Sequence, residues 1–453
     1  MSDSNRSTTP ASDTFREFIT QGWAPREDAP ALEAEVAPFA AARRAKVSAA
    51  HPGERIVIAA GEPKPRSNDV DYPYRAHTSF TYLTGWGSDT VPGAKLVLDP
   101  VVGGHEATLY FREGAGRDTD EFYANSAIGE FWTGPRPSLA HVSAQLDIPT
   151  KHIDEFEHRR GDFELDTPQL AQELSELRLV KDEWEIQQIR EAVAATARGF
   201  DDIIQYLDRA SEHPRGERIV EGAFHARARL DGNAVGYDTI AASGAHACIL
   251  HWVDNDGPVT RGDLILVDAG VEVDSLYTAD ITRTMPIDGA FTEVQRRVYE
   301  AVRKAADVAF SIVRPGITFR AVHDTALRSI AVSLDEWGLL PMSLEDALQP
   351  GNQPHRRYMV HGTSHHLGLD VHDCAQARRE MYLDGIVEPG MVFTIEPGLY
   401  FQPDDLTVPE EYRGIGVRIE DDILVTQDGA ENLSIEIPRT ADDVEAWMRR
   451  VRG

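Results

Sequence analysis

The sequence has few cysteines, a shortage of basic relative to acidic residues and no long hydrophobic run. Only Cys248 and Cys374 occur in 453 residues, so no disulfide framework is implied and a reducing cytoplasm is the expected compartment. The formal net charge of −30 argues against nucleic acid as a partner, because that interaction requires a basic surface. No run approaches the length of a membrane-spanning helix, so no membrane partner is expected.

The composition along the chain predicts three regions. Residues 1–30 are polar and lack the apolar core of a signal peptide, which predicts a disordered or extended tail. Residues 31–175 mix helix-prone segments with short apolar runs separated by Gly and Pro, as in an α/β domain. In residues 176–453, helices flank strands that carry polar side chains, which predicts an α+β domain with a curved, mostly antiparallel sheet.

Local patterns predict individual elements in both domains. The N-terminal domain should begin with an alanine-rich helix at residues 31–50, followed by strands at RIVIAA, AKLVL and ATLYF. Residues 173–200 have the apolar spacing of an amphipathic helix pair that links the domains. Three further helices are predicted at residues 217–231, 292–313 and 319–337.

Acidic residues and a histidine interrupt or follow short apolar runs in the C-terminal half. A buried charge without a partner is costly, so such positions favour metal ligands. Oxygen donors suit two hard divalent cations such as Mn²⁺, and a hydroxide shared between them would be a nucleophile near neutral pH. Spacing alone leaves open which histidine of the doublet His365-His366 is the ligand. The five candidate ligands are Asp268, Asp280, His365, Glu396 and Glu420.

The candidate ligands also indicate a weak internal duplication. Asp268 and Asp280 form one close pair of carboxylates, and Glu396 and Glu420 form a second pair in the other half. Two related halves that face each other would bring both pairs to a shared interface, where small-molecule sites tend to lie. We therefore expect pseudo-two-fold halves with one site between them.

Several motifs together resemble a known family. The segment HGTSHHLGLDVHD at residues 361–373, with VDAG, ADITRT, TIEPGLY and GIGVRIEDD, is similar to the proline-peptidase branch of the pita-bread metallopeptidases. Within that branch the chain most resembles bacterial aminopeptidase P, the Xaa-Pro aminopeptidase family. Further matching motifs lie at residues 69–86, 177–186 and 243–252, so the resemblance extends from about residue 30 to the end.

The resemblance implies a role for each candidate ligand. Asp268 would chelate one metal, and Asp280 and Glu420 would bridge two metals. The family pattern places the histidine ligand at His365, as a neutral imidazole. Glu396 would both ligate a metal and act as the general base, and then as the acid toward the leaving nitrogen. The implied fold is an aminopeptidase P-like N-terminal domain followed by a pita-bread catalytic domain.

Other polar residues are predicted to surround the ligands. His251, His361 and His372 match family positions around the substrate, where they would hold the scissile carbonyl and stabilise the oxyanion. Arg418 lies two residues before Glu420, on the same face of a predicted strand, and is expected to orient a carboxylate ligand. Tyr400 fits either a hydrogen bond near the metals or simple packing at a strand end.

The function implied by the resemblance is metal-dependent hydrolysis of the N-terminal Xaa-Pro bond of peptides through a metal-bridging hydroxide. The expected cofactors are two divalent ions, Mn²⁺ first, with Zn²⁺ or Co²⁺ as alternatives. The expected partners are peptides with proline at the second position and further copies of the chain in a homodimer or homotetramer. Two other functions remain open at this point: a prolidase that accepts only dipeptides, and a non-catalytic binding module of the same fold.

Overall fold

The computed structural model describes residue 10 and residues 12–24, 31–68 and 70–453. The chain forms two compact units, residues 1–171 and residues 172–453, whereas the sequence predicts a boundary after residue 175. Much of the predicted tail at residues 1–30 lies outside the described residues. Within it, Asp13–Thr20 is helical instead of extended, and the Ser12 side chain caps that helix by accepting a hydrogen bond from the Phe15 N–H.

The first unit contains a mixed sheet and several mostly short helices. Its helices are α1 (Asp13–Thr20), α2 (Ala37–Ala50), α3 (Thr78–Thr84), α4 (Glu121–Ala124), α5 (Glu130–Thr133) and α6 (Leu139–Leu146). Its strands are β1 (Ile56–Ala59), β2 (Pro65–Ser67), β3 (Val70–Asp71), β4 (Lys95–Val101), β5 (Gly104–Phe111), β6 (Thr150–His152) and β7 (Phe163–Glu164). The main sheet has five strands in the order β6-β5-β4-β1-β7.

The predicted N-terminal elements form close to their expected positions. Helix α2 begins at Ala37 instead of residue 31, because Pro38 occupies its first turn, where the N–H that proline lacks would have no partner within the helix. The runs around Val57 and Val97 become the adjacent antiparallel strands β1 and β4. Both side chains are buried, as are their neighbours, so the sheet is covered on both faces.

Helix α7 (Pro168–Leu177) contains the boundary between the units, and the second unit holds the remaining elements. Its helices are α8 (Glu183–Ser211), α9 (Gly216–Asp231), α10 (Glu293–Ser311), α11 (Phe319–Glu336), α12 (Leu344–Ala347) and α13 (Ala441–Arg452). Its strands are β8 (Ala234–Val235), β9 (Ile240–Ser243), β10 (Leu264–Ala269), β11 (Val271–Glu272), β12 (Ile281–Pro286), β13 (Val392–Ile395), β14 (Gly398–Tyr400), β15 (Gly416–Arg418), β16 (Asp421–Val425) and β17 (Ala430–Asn432).

The second unit repeats one order of elements. In each half a pair of long helices, α8 with α9 and α10 with α11, precedes a three-stranded antiparallel sheet. The first sheet has the order β12-β10-β9 and the second the order β13-β16-β17. This repeat is the α+β pita-bread architecture with two related halves that the sequence predicts. Within the described ranges, no helix is long and apolar enough to cross a membrane.

Candidate functional site

Each half of the second unit presents two carboxylates from neighbouring antiparallel strands. Asp268 lies near the end of β10, and Asp280 directly precedes β12, which pairs with β10. In the other half Glu396 directly follows β13, and Glu420 directly precedes β16, which pairs with β13. Because antiparallel neighbours reverse direction, the end of one strand and the start of the next meet at one edge of the sheet. The close pairs of the sequence therefore become close pairs in space.

Hydrogen bonds join the two halves at this edge. The Glu420 N–H donates to the Thr282 carbonyl at 3.1 Å, and the Thr282 hydroxyl donates to Glu420 Oε2 at 2.7 Å. His365 lies against the carboxylates of both halves, with Nε2 3.1 Å from Asp280 Oδ2, 3.8 Å from Glu396 Oε1 and 3.9 Å from Glu420 Oε1. One donor atom each from Asp280, His365 and Glu420 lies within 4.8 Å of the others.

The carboxylates are buried with little positive charge to balance them. Burial, followed by the charges of Asp280 and Glu396, raises the pKa of Glu420 well above its ordinary value. Burial also raises the pKa of Glu396, to about 8. Burial opposes the charged form of His365, but its hydrogen bond to Asp280 raises the pKa of the imidazole to about 9. In the metal-free protein, Glu420, Glu396 and His365 therefore keep their protons to higher pH than the same groups do in water.

This donor set fits divalent metal ions. Asp268, Asp280 and Glu420 are each less than a tenth exposed, and the oxygens of Asp280 and Glu420 converge with one imidazole nitrogen. Within the described part of the chain, Arg418 is the one lysine or arginine that lines their cavity. Hard oxygen donors with one nitrogen are typical ligands of ions such as Mn²⁺, and such ions would supply the missing positive charge. The ligand roles predicted for these residues remain a proposal.

Tyr237 is a contact that the sequence analysis did not identify. Its hydroxyl lies 2.6 Å from Asp268 Oδ1 and 2.5 Å from Asp280 Oδ1, between the two carboxylates of the first half. Burial and these two acids raise the pKa of its phenol well above the ordinary value. The tyrosine precedes β9 and is 31 residues from Asp268, so no local spacing indicates the contact.

Arg418 contacts the second carboxylate oxygen of Asp268. Its guanidinium donates to Asp268 Oδ2 at 2.5 Å and to the Thr282 hydroxyl at 3.1 Å, which in turn donates to Glu420. It also donates to the Tyr400 hydroxyl at 3.1 Å. The arginine therefore reaches Glu420, its neighbour in sequence, only through Thr282. Tyr400, for which the sequence left two interpretations, is part of this hydrogen-bond network.

The predicted outer histidines differ in their contacts. His361 Nε2 is 2.8 Å from the Tyr400 hydroxyl, and its Nδ1 is 3.5 Å from Glu396 Oε2. The ring of His372 meets the ring of His365 edge-on, with centroids 4.3 Å apart. His251 lines the same cavity from the segment that follows β9. Burial lowers the pKa of His361 to about 3 and also lowers that of His372, so both rings are neutral at physiological pH.

The histidine doublet points in two directions. His365 lines the cavity, whereas His366 is 1% exposed and stacks on Phe319 with ring centroids 4.8 Å apart. Phe319 and Phe393 around it belong to the hydrophobic core beneath the second sheet. Adjacent residues in an extended segment face opposite sides, so only one histidine of the doublet reaches the carboxylates.

The cavity above the carboxylates has a volume of about 600 Å³. Its lining combines the polar residues described above, further polar side chains such as Asp238 and Ser364, and several apolar side chains. Its apolar residues are Ile240, Leu250, Val253 and Val371. A pocket with an apolar wall beside a few convergent polar groups is typical of small-molecule and peptide sites.

Comparisons with known proteins give consistent matches. Residues 187–427 match the family model "Metallopeptidase family M24", and residues 40–163 match "Aminopeptidase P, N-terminal domain". Xaa-Pro aminopeptidase 2 of Streptomyces coelicolor is 50% identical, over 96% of this chain and 96% of that protein. The Xaa-Pro aminopeptidase of Escherichia coli is 33% identical, over 91% of this chain and 98% of that protein.

Solved structures agree with these matches. A variant of Escherichia coli aminopeptidase P in complex with substrate superposes with a TM-score of 0.78 at 30% identity, covering 93% of this chain and all 100% of that one. Zinc-substituted Escherichia coli aminopeptidase P in complex with product has a TM-score of 0.76 at 31% identity, covering 91% of this chain and 98% of that one.

Proposed function

Because the chain belongs to metallopeptidase family M24 and also carries an aminopeptidase P N-terminal domain, we propose that it releases the first residue of peptides whose second residue is proline. Relatives named Xaa-Pro aminopeptidase match nearly the whole chain, which supports this substrate class. The single observation that carries the proposal is the set of three buried carboxylates, the partly buried Glu396 and His365 around one cavity with Arg418 as its fixed cation.

The five candidate ligands would hold two divalent ions, which would polarise the scissile carbonyl and lower the pKa of the attacking water. Asp280 and Glu420 come one from each half and lie close to each other and to His365, so they are suited to contact both ions. Asp268 is held by Tyr237 and Arg418, which leaves its carboxylate in a defined orientation. We propose Mn²⁺ as the physiological metal because oxygen donors dominate the set.

Glu396 is the residue that moves the proton. It takes a proton from the attacking water and delivers it to the proline nitrogen as the peptide bond breaks. Burial raises the pKa of this carboxyl to about 8 in the metal-free protein, and bound divalent cations would lower it, so that the carboxylate is free to accept the proton. His361 lies 3.5 Å away and is itself hydrogen-bonded to Tyr400, so it can orient Glu396 during this transfer.

The outer histidines serve the substrate. His361, His372 and His251 line the cavity around the carboxylates, where an N–H can donate to the scissile carbonyl and to the developing oxyanion. The apolar wall of Ile240, Leu250 and Val253 suits the proline ring, which brings no N–H to a polar cleft. Proline at the second position is therefore accepted through shape and apolar contact.

We also propose a cellular compartment and an oligomeric state for the protein. The chain acts in the cytoplasm, as its low cysteine content suggests. It assembles as a homodimer or homotetramer, as the resemblance to aminopeptidase P implies. Sedimentation of the purified protein measures the assembly directly, and a monomer at all concentrations would contradict it.

A peptide panel tests the proposed function. The metal-reconstituted protein should remove only the first residue from Xaa-Pro-Yaa tripeptides and from pentapeptides, and it should leave Xaa-Ala-Yaa intact. Acetylation of the substrate amine should abolish cleavage. Cleavage of Xaa-Pro dipeptides without cleavage of longer chains would assign the protein as a prolidase instead. If the fully metallated protein cleaves no peptide, the chain is a binding module of the same fold.

A further inference from the structure

One buried carboxylate next to the site is fully balanced by cations from outside the cavity. Asp373 is 1% exposed and accepts hydrogen bonds from Arg178 Nε on Oδ1 and from Lys181 Nζ on Oδ2, both at 3.0 Å. The Lys181 side chain is 0% exposed. Neither cation lines the cavity, and neither belongs to the catalytic groups described above. Burying three charges is costly unless close pairing and further hydrogen bonds offset the lost hydration, as they do here.

The carboxylate closes the segment that carries two site histidines. Asp373 directly follows His372, and its N–H donates to the His366 carbonyl at 2.9 Å, which ties the end of the segment to its start. Asp373 Oδ1 also accepts the Cys374 N–H at 2.8 Å. Cys374 has a φ of 60°, in the left-handed region that non-glycine residues rarely adopt. The strained turn at Cys374 comes two residues after His372, and neither Asp373 nor Cys374 lines the cavity.

Arg178 and Lys181 lie in a segment that also contacts the chain just before the strand leading to Glu396. The Lys181 N–H donates to the Gly390 carbonyl at 2.9 Å, and Lys181 Nζ donates to the Arg178 carbonyl at 2.6 Å. Strand β13, which begins two residues after Gly390, ends at Ile395, next to Glu396. Residues 178–181 thus contact both the backbone just before β13 and the side chain of Asp373.

Arg178, Lys181 and Asp373 form an ion-pair cluster that we call the clamp. Close packing around the clamp leaves its side chains little freedom to move. A Cβ placed on Gly368 would lie 2.3 Å from Asp373 Oδ2 and 2.9 Å from Lys181 Cε. The loop between His365 and His372 therefore lies directly against the ion pair. A displacement of Asp373 has to move the loop, because close-packed interiors transmit small shifts instead of absorbing them.

We propose that Arg178 and Lys181 are positioning residues that hold Asp373 and thereby fix His372 at its 4.3 Å ring distance from His365. The inference rests on the proposed function for its kinetic consequence only. His365 faces Asp280, Glu396 and Glu420, and His372 lines the cavity in which a peptide would bind. One clamp from outside the cavity thus sets the spacing between a candidate metal ligand and a candidate substrate contact.

The test replaces one cation and one anion of the clamp. Lys181→Met keeps the length of the side chain and removes its charge, and Asp373→Asn keeps the shape of the acceptor. Each should lower kcat by roughly 10- to 100-fold, the range seen when residues behind metal ligands are replaced, with KM changed less than twofold. The double variant should lose much less than the product of the two single losses, because both changes break the same contact.

Two measurements separate positioning from general stability. In metal-free protein with ¹³C-labelled histidine, the ring signals of His365 and His372 should shift in both clamp variants and stay unchanged in Arg296→Met. That control breaks ion pairs with Asp442 and Glu445 between α10 and α13, outside the cavity. It should lower Tm without changing kcat. If Lys181→Met instead resembles this control, with lower Tm but unchanged histidine signals and kcat, the positioning role is wrong.

The histidine signals also keep the two proposals distinguishable. If the parent protein cleaves no peptide, the proposed function fails, whereas shifted ring signals in Lys181→Met would still support the clamp. If Lys181→Met does not fold, Asp373→Asn carries the test, since its one amide oxygen can still accept from Arg178 and from the Cys374 N–H while the contact with Lys181 is lost.

Discussion

The carboxylates at the cavity and the nearby carboxylate of Asp373 are both in the second unit, but they differ in which groups balance their negative charge. Glu420 at the cavity and Asp373 in the clamp are each 1% exposed. Burial and neighbouring acids raise the pKa of Glu420 well above the ordinary value. Burial acts in the same direction on Asp373, but Lys181 and Arg178 outweigh it and hold the pKa of that carboxyl well below its usual range.

The difference identifies which carboxylates need an external cation. Asp373 already has two cations, so its charge is complete within the protein and its role is architectural. The four carboxylates at the cavity share Arg418 and the imidazole of His365. Burial of unbalanced charge is unfavourable, so divalent ions are the partners that complete this group. Burial alone therefore does not mark a functional acid; at the cavity, the additional sign is that four acids crowd together around few cations.

Loss of a bridging carboxylate should have the largest effect. In Glu420→Ala one oxygen donor between the halves disappears, so bound metal should fall well below two ions per chain and turnover should collapse. Metal analysis of the dialysed protein and a peptide assay measure both. Retention of two metals with most of the activity would remove Glu420 from the ligand set.

The histidine doublet provides a matched pair of controls for that experiment. His365→Ala should lose metal, because His365 lies against three carboxylates. His366→Ala should bind metal nearly as well as the parent and lose Tm instead, because its ring packs on Phe319 in the core. The opposite result would exchange the roles of the two histidines.

Glu396→Gln should have the next largest effect. The amide keeps an oxygen donor but cannot accept the proton, so kcat should fall by roughly 10²- to 10⁴-fold, as is typical for loss of a general base. Metal content should fall much less than in Glu420→Ala. Steady-state kinetics at saturating metal measure the effect, and a variant within a few-fold of the parent would exclude Glu396 as the base.

Tyr237→Phe should have a smaller effect. It removes the hydroxyl that lies between Asp268 and Asp280 while the ring remains. Carboxylates that lose an orienting hydrogen bond bind metal less tightly, by roughly 10-fold or more. Titration calorimetry with Mn²⁺ measures the affinity, and Tyr206→Phe, which changes a half-exposed tyrosine on α8, serves as the control. Equal affinities in the two variants would show that Tyr237 does not act on the carboxylates.

The smallest expected effect is a pH dependence of stability in the metal-free protein. The pKa of Glu396 is raised from its ordinary 4.5 to about 8, and that of His365 from 6.5 to about 9. Over these windows the folded state holds protons that the unfolded state has released, so stability falls as pH rises. Asp373 contributes nothing there, because its lowered pKa matters only in stronger acid.

Thermal unfolding at pH 5.5, 7.0 and 8.5, with and without Mn²⁺, measures this dependence. The metal-free Tm should decline with pH more steeply than that of the metal-loaded protein. Glu396→Gln should remove part of the decline, since the amide does not titrate. A metal-free Tm that rises between pH 5.5 and 8.5 would contradict the assigned pKa directions.

Local sequence patterns were sufficient for much of this molecule. The apolar runs before Asp268 and Glu396 predicted buried strands with ligands at their ends, and the structure has β10 and β13 there. The helices predicted at residues 217–231 and 319–337 form within about one residue of their expected ends. These features follow from the periodicity of neighbouring residues, which depends on local backbone geometry.

The sequence by itself determined the two-part architecture, the paired carboxylates and the family, because each depends on residue types at short or characteristic spacing. Only the tertiary structure decided that Tyr237 lies between two acids, that Arg418 reaches Asp268, and that Lys181 holds Asp373 from 192 residues away. Such contacts have no period along the chain. They form because burial leaves a polar group no water to bind, so the fold must bring it a partner from wherever the chain passes.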